Sequence, residues 1–226
     1  MSWQERNYGS GGSFGGGRGF ADNPLNWAPT VCRIFGIRVR VHIVFLLFVI
    51  FRLIGAGEWY LYTGQWLFVL FGSVFLHELG HCFSARRMGG TADEVLMWPL
   101  GGLAFISVPR RPWPEFVSVV WGPMVNVMLF TLAAVFLRFD VRANPHGFLS
   151  PVEATWGSLN TWLVLIYQIN VFLFLFNLWP MYPMDGGRLF KCVLWWKMGL
   201  HKATAIATAV GMIAAVAMGF YGLLYS

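Results

Sequence analysis

Four stretches of this chain, 59–76, 116–137, 154–184 and 203–226, contain no Lys, Arg, Asp or Glu. Each can supply a membrane-spanning helix, which needs roughly 20 apolar residues. A chain so divided has little left from which to build a water-facing surface. Its composition agrees: 57% of the 226 residues are hydrophobic, 18% aromatic and 12% charged, whereas soluble proteins average about 25% charged residues. Intrinsic disorder is excluded on the same ground, because it requires low hydrophobicity. The expected class is an all-α polytopic protein of the lipid bilayer.

A fifth apolar segment, 41–57, contains only Arg52, near one end, where a long side chain can snorkel to the interface. Placing the N-terminus in the cytoplasm puts Arg6, Arg18, Arg33, Arg38, Arg40, Arg86, Arg87, Arg110, Arg111, Arg188, Lys191, Lys197 and Lys202 inside, and leaves Arg52, Arg138 and Arg142 at or near the outer side. The positive-inside rule favours that orientation. Five spans leave the C-terminus outside; a short membrane helix over 189–199 would make six, but Lys191 and Lys197 suit it better to the interface. The net charge of +6 is spread among these loops rather than gathered into a patch, so no nucleic-acid partner is expected.

Residues 1–30 read as a flexible cytoplasmic tail, Gly-rich at 9–19, with no cleavable signal peptide expected. The remaining domain covers 31–226. Alternating polarity over 34–44 (IFGIRVRVHIV) predicts a strand at the membrane surface. The segment 89–108 is apolar, is broken by Pro99, Gly101 and Gly102, and has basic residues of one side at both ends. It is expected to dip into the membrane and return as strand or loop. Cys32, Cys82 and Cys192 lack metal-type spacing and are expected to be small buried apolar residues.

The chemistry is concentrated at His77-Glu78-Leu79-Gly80-His81. Four residues apart on a helix, the two imidazoles share a face and can bind one zinc ion, while Glu78 can reach a metal-bound water without ligating the metal. Chance would produce H-E-x-x-H roughly 0.003 times in a chain of this length and His and Glu content. Ionisable residues within a spanning helix are functional candidates in their own right. The soluble extension of the motif fails, with Ser84 and Arg87 where Gly and His would stand. The third ligand must therefore come from elsewhere. His42, His146 and His201 read as interfacial side chains. Asp185 is the better candidate, since it follows a long uncharged run, beyond two helix-breaking prolines, Pro180 and Pro183, and before Gly186-Gly187. Its depth can match that of His77; the alternatives for Asp185 are a helix cap or a partner for Arg188.

H-E-L-G-H on one helix with N-x-x-P-x-x-P-x-D-G-G from Asn177 onward resembles the site-2 protease family of intramembrane zinc metalloproteases. The likeness extends over about 33–200. Phe35-Gly36-Ile37 through Val41-His42 resembles the family's N-terminal surface strand, Pro99-Leu100-Gly101-Gly102 its re-entrant strand, and Gly122-Pro123-Met124-Val125-Asn126 its G-P-x-x-N helix start. The resemblance implies His77, His81 and Asp185 as ligands of one Zn²⁺ per chain and Glu78 as catalytic acid/base. It implies Asn126 and Asn177 near substrate backbone or the developing oxyanion, with Gly101 and Gly102 holding an extended substrate. It further implies single-pass membrane proteins as substrates and a prokaryotic inner-membrane location. The chain departs from larger members in size, with no room expected for their PDZ or CBS domains, so a compact form is expected. Met184, where Leu is usual, is an apolar exchange. A catalytically silent adaptor of the same fold and a metal- or proton-coupled transporter are the competing classes.

Overall fold

The computed structural model describes residues 27–141 and 158–225; residues 1–26 of the expected tail and His146 lie outside them. Ala28, however, is buried, its carbonyl accepts from Arg40 Nε, and Thr30 begins the first strand, so 27–30 belong to the fold rather than to a tail. The chain enters through a hairpin of β1 (Thr30–Ile34) and β2 (Ile37–Val41). Its two-residue turn places Phe35 and Gly36 at φ of 50° and 79°, the left-handed positions that match the twist of flanking strands. The alternation in 34–44 is thus one strand only over Ile37–Val41, with Ile37 and Val39 buried and Arg38 exposed. Before it lies a turn, and after it His42, whose Nδ1 accepts from the Val44 N–H to cap α1 (Ile43–Gly55).

A single 3-10 turn leads into α2 (Tyr60–Arg87), followed by a second hairpin, β3 (Thr91–Trp98) and β4 (Gly101–Ser107). The strands form one sheet in the order β1-β2-β3-β4, with β2 and β3 parallel and the hairpin pairs antiparallel. Since β2 feeds α1 and β3 follows α2, the sheet sits where the first helix begins and the second ends. Ile37, Ala92, Val95 and Met97 bury one sheet face against Leu79 and Cys82 of α2. Arg86 fastens the corner: its Nη1 donates to Phe35 O, and its Nε and Nη2 donate to Ala92 O. The expected re-entrant segment is therefore a β-hairpin, and it lies along α2 as far as Glu78, whose carboxylate accepts from Ala104 N–H at 3.0 Å.

The rest is helical: α3 (Pro112–Val141), α4 (Leu159–Asn177), α5 (Asp185–Met198) and α6 (Leu200–Tyr225). Leu165, Ile169 and Leu173 of α4 bury against Val69 of α2. Helices α2 and α3 approach closely at Gly80, where a Cβ would lie 2.7 Å from Trp121 O. Glu115 of α3 and Lys191 of α5 form a largely buried ion pair.

Among the described residues, α2 with its leading turn, α3, α4 and α6 are long and apolar enough to cross a bilayer. Against the expected five or six, α1 has 13 residues and α5 has 14. Of the uncharged run 154–184, only Leu159–Asn177 is α-helical among its described residues. Phe51, Ile54, Phe68, Ile213, Leu223 and Leu224 point outward and are exposed, an apolar surface far larger than a soluble monomer shows. The chain is an integral membrane protein, mostly helical with a small sheet. Two of the cysteines are buried as expected, and burial together with Glu115 pushes the Cys192 thiol up to about 11. Cys32 departs from expectation: it is exposed on β1, one of the two edge strands of the sheet.

Candidate metal centre

Helix α2 carries His77 and His81 one turn apart on its buried face. Asp185 is brought to them from 108 residues away in the sequence. After α4 ends at Asn177, residues 178–184 form an irregular link containing Pro180 and Pro183, and α5 starts at Asp185 itself. Gly186 and Gly187 permit this docking, because a Cβ on either would meet backbone of the link at 2.2 and 2.6 Å.

The three side chains close into a triangle. His77 Nε2 lies 3.0 Å from Asp185 Oδ2, His81 Nε2 lies 3.2 Å from the same oxygen, and the two nitrogens are 3.1 Å apart. All three residues are buried. Four ligands placed tetrahedrally at zinc–ligand distances of about 2.0–2.1 Å would be separated from one another by about 3.3 Å, close to these edges. The donor chemistry fits as well. His81 Nδ1 donates to the Ser118 carbonyl at 2.8 Å, and His77 Nδ1 donates to Asn126 Oδ1 at 2.5 Å. With both Nδ1 protons committed, each Nε2 presents a lone pair toward a carboxylate oxygen. Three acceptors facing one another are arranged to share a cation between them. His77, His81 and Asp185 are therefore a group that can hold one metal ion. The alternatives for Asp185 are subsidiary: it does begin a helix, but Arg188 reaches its other oxygen only at 4.0 Å.

Space for the ion comes from α3. A Cβ at Gly122 would stand 2.2 Å from His81 Nε2 and 2.8 Å from His77 Nε2. Pro123 follows within the helix and withholds the N–H that the Val119 carbonyl would otherwise take, which loosens this turn; the neighbouring Ser118 carbonyl is the one that accepts from His81.

Glu78 is half-buried beside the triangle, and β4 is fitted to it. A Cβ at Gly102 would lie 2.4 Å from Glu78 Cγ, so the hairpin approaches the carboxylate only because residue 102 is glycine. Gly101, at φ 141°, turns the strand at its start. Asn177 ends α4, half-buried. Asn126 differs from its expected position toward substrate: it is fully buried behind His77, with its Oδ1 on the ligand and its Nδ2 donating to Asn170 Oδ1 at 2.9 Å. His42 caps α1 and His201 is exposed on α6, so neither joins the group. Sequence reading missed Ser118 and Asn170, and it marked Gly122 only as part of a helix start, whereas Gly122 lies inside α3. A buried amide within an uncharged helix was the available signal for Asn170.

The model of peptidase family M50 matches residues 65–218. A zinc metalloprotease of Methanocaldococcus jannaschii is 31% identical over 88% of this chain and 55% of its own length. Stage IV sporulation protein FB of Bacillus subtilis is 27% identical over 58% of this chain and 40% of its own. The chain thus spans about half the length of these curated relatives. Among solved structures, the site-2 protease from Methanocaldococcus jannaschii aligns with a TM-score of 0.60 at 29% identity, covering 88% of this chain and 86% of that one.

Proposed function

Because the chain belongs to peptidase family M50, the site-2 protease family, we propose that it is an endopeptidase that cuts within or near the spanning helices of single-pass membrane proteins, using one zinc ion held by His77, His81 and Asp185. The observation that carries this reading is the ring of three buried lone pairs with a carboxylate, Glu78, next to it on the same helix. Zinc bound there supplies Lewis acidity toward a carbonyl and makes water acidic enough to attack at neutral pH.

The protein's own part follows from its hydrogen bonds. Ala104 N–H holds Glu78 Oε2, leaving Oε1 to take the proton of the attacking water and later deliver one to the leaving amine. Asn177 and the Gly101-Gly102 segment are proposed to face the substrate. A spanning helix satisfies its own backbone and shields its peptide bonds, so the substrate must unwind to be cut. The start of β4 is the element suited to receive an extended strand by main-chain pairing.

The test is proteolysis by purified protein in detergent, with a panel of single-pass substrates and a zinc chelator. Expected is cutting inside the spanning segment that stops on chelation and returns with added zinc. No cutting together with no bound zinc would favour the silent adaptor, and metal flux into vesicles the transporter.

The proposed location is a prokaryotic cell membrane with the N-terminus cytoplasmic. Cys32 is the exposed cysteine of the three, so a membrane-impermeant maleimide should label it in inverted vesicles and not in intact cells. Labelling in intact cells would reverse the orientation.

A further inference from the structure

The two imidazoles are held by different means. His81 Nδ1 meets a main-chain carbonyl, Ser118 O, which can only accept. That contact alone fixes the proton on Nδ1 and the lone pair on Nε2. His77 Nδ1 meets an amide side chain, Asn126. An amide is nearly symmetric in shape: turned over, it would present N–H to the ring, favour the tautomer protonated on Nε2, and close that nitrogen to metal. Something must dictate which way Asn126 faces.

The dictating group lies on α4. Asn126 Nδ2 donates to Asn170 Oδ1 at 2.9 Å. Asn170 Nδ2 donates in turn to Ile166 O at 2.8 Å and to Ser73 Oγ at 2.9 Å. The hydroxyl of Ser73 can donate or accept, but the Ile166 carbonyl can only accept. It fixes the Asn170 amide, which fixes the Asn126 amide, which fixes His77. Asn126 and Asn170 are both fully buried, so no water competes for these positions.

We propose that Asn170 is a positioning residue for the metal site: through Asn126 it sets the tautomer of His77, and the direction of the whole relay originates at the main-chain carbonyl of Ile166. This inference rests on the metal-binding reading of His77, His81 and Asp185, and not on proteolysis.

The experiment measures zinc affinity by competition with a chromogenic chelator, on full-length protein in detergent, with thermal unfolding of the zinc-free protein alongside. Asn170→Leu keeps the branched heavy-atom skeleton of the side chain and removes the acceptor that orients Asn126. Its zinc affinity should fall about 10- to 100-fold, the range found when a partner of a ligating histidine is lost. Ser73→Ala leaves the Ile166 contact in place and should change affinity less than about 3-fold. The decisive variant is Asn126→Asp combined with Asn170→Leu. An ionised carboxylate accepts through either oxygen, so turning it over still leaves an acceptor facing His77, and affinity should recover to within about 3-fold of the parent.

Unchanged affinity in Asn170→Leu overturns the proposal. So does a loss that Asn126→Asp fails to restore, or one that Ser73→Ala reproduces in full, since either assigns Asn170 to packing. Parent protein that binds no zinc overturns this inference together with the metal reading. Parent protein that binds zinc but cuts nothing overturns only the proteolytic reading and leaves the relay supported by its affinities.

Discussion

Glu78→Gln is expected to lower peptide-bond cleavage by about 10²–10⁴-fold, the usual contribution of a positioned acid/base, while zinc stays at one per chain. The exchange keeps the side chain's length, and its amide oxygen can still accept from Ala104 N–H, where Glu78 Oε2 now does. The hairpin therefore remains docked on α2. The metal triangle is also untouched, because it is built from His77, His81 and Asp185 without Glu78. What disappears is a group able to take a proton from water. Measuring kcat on a cleaved single-pass substrate beside zinc content by elemental analysis separates the outcomes. Cleavage at the parental rate would remove Glu78 from the chemistry, and loss of zinc would make it part of the metal site instead.

Gly122→Ala should fail by the opposite route. Within a helix this exchange ordinarily stabilises by about 0.5–1 kcal/mol, and Gly122 lies inside α3. Here the added methyl would stand 2.2 Å from His81 Nε2, 2.3 Å from its Cε1 and 2.8 Å from His77 Nε2, against the 3.5–4.0 Å of an ordinary carbon contact. Those two nitrogens are the metal-facing ones, so the methyl competes with the ion for the same volume. The imidazoles cannot retreat without breaking their bonds to Ser118 O and Asn126 Oδ1. The expected result is zinc content below about one-tenth of the parent, cleavage at background, and helical content unchanged by circular dichroism. Full zinc occupancy in Gly122→Ala would mean that the ion sits elsewhere.

Much of this site is legible in the sequence because it depends on spacing. His77 and His81 share a face by helical periodicity. Asp185 is marked by Pro180, Pro183 and the following glycines, which announce a break in an apolar run. Other parts depend on groups that sequence does not display. Ser118 acts through its carbonyl, which every residue possesses. Gly122 acts through what it lacks, at a point where two other elements converge. Asn126 bears the right letter for a substrate contact, yet packing turns it toward His77. The fold divides in the same way: long uncharged stretches mark α2, α3, α4 and α6, whereas the turn at Phe35 and Gly36 is hidden because a phenylalanine in the left-handed region is uncommon. Periodicity alone therefore merged a turn, a strand and a helix start into one segment.

The wide separation of the ligands has a temporal meaning. Two coordinating groups reside on α2, but the third is made 108 residues after the first. At roughly 5–20 residues per second, a ribosome needs about 5–20 s to pass from His77 to Asp185. Throughout that interval the growing chain holds two imidazoles and a carboxylate base with no third ligand to complete the centre. The group that can hold the metal is therefore incomplete until α5 has been synthesised and seated. The centre is completed late in biosynthesis, when Asp185 reaches the two imidazoles.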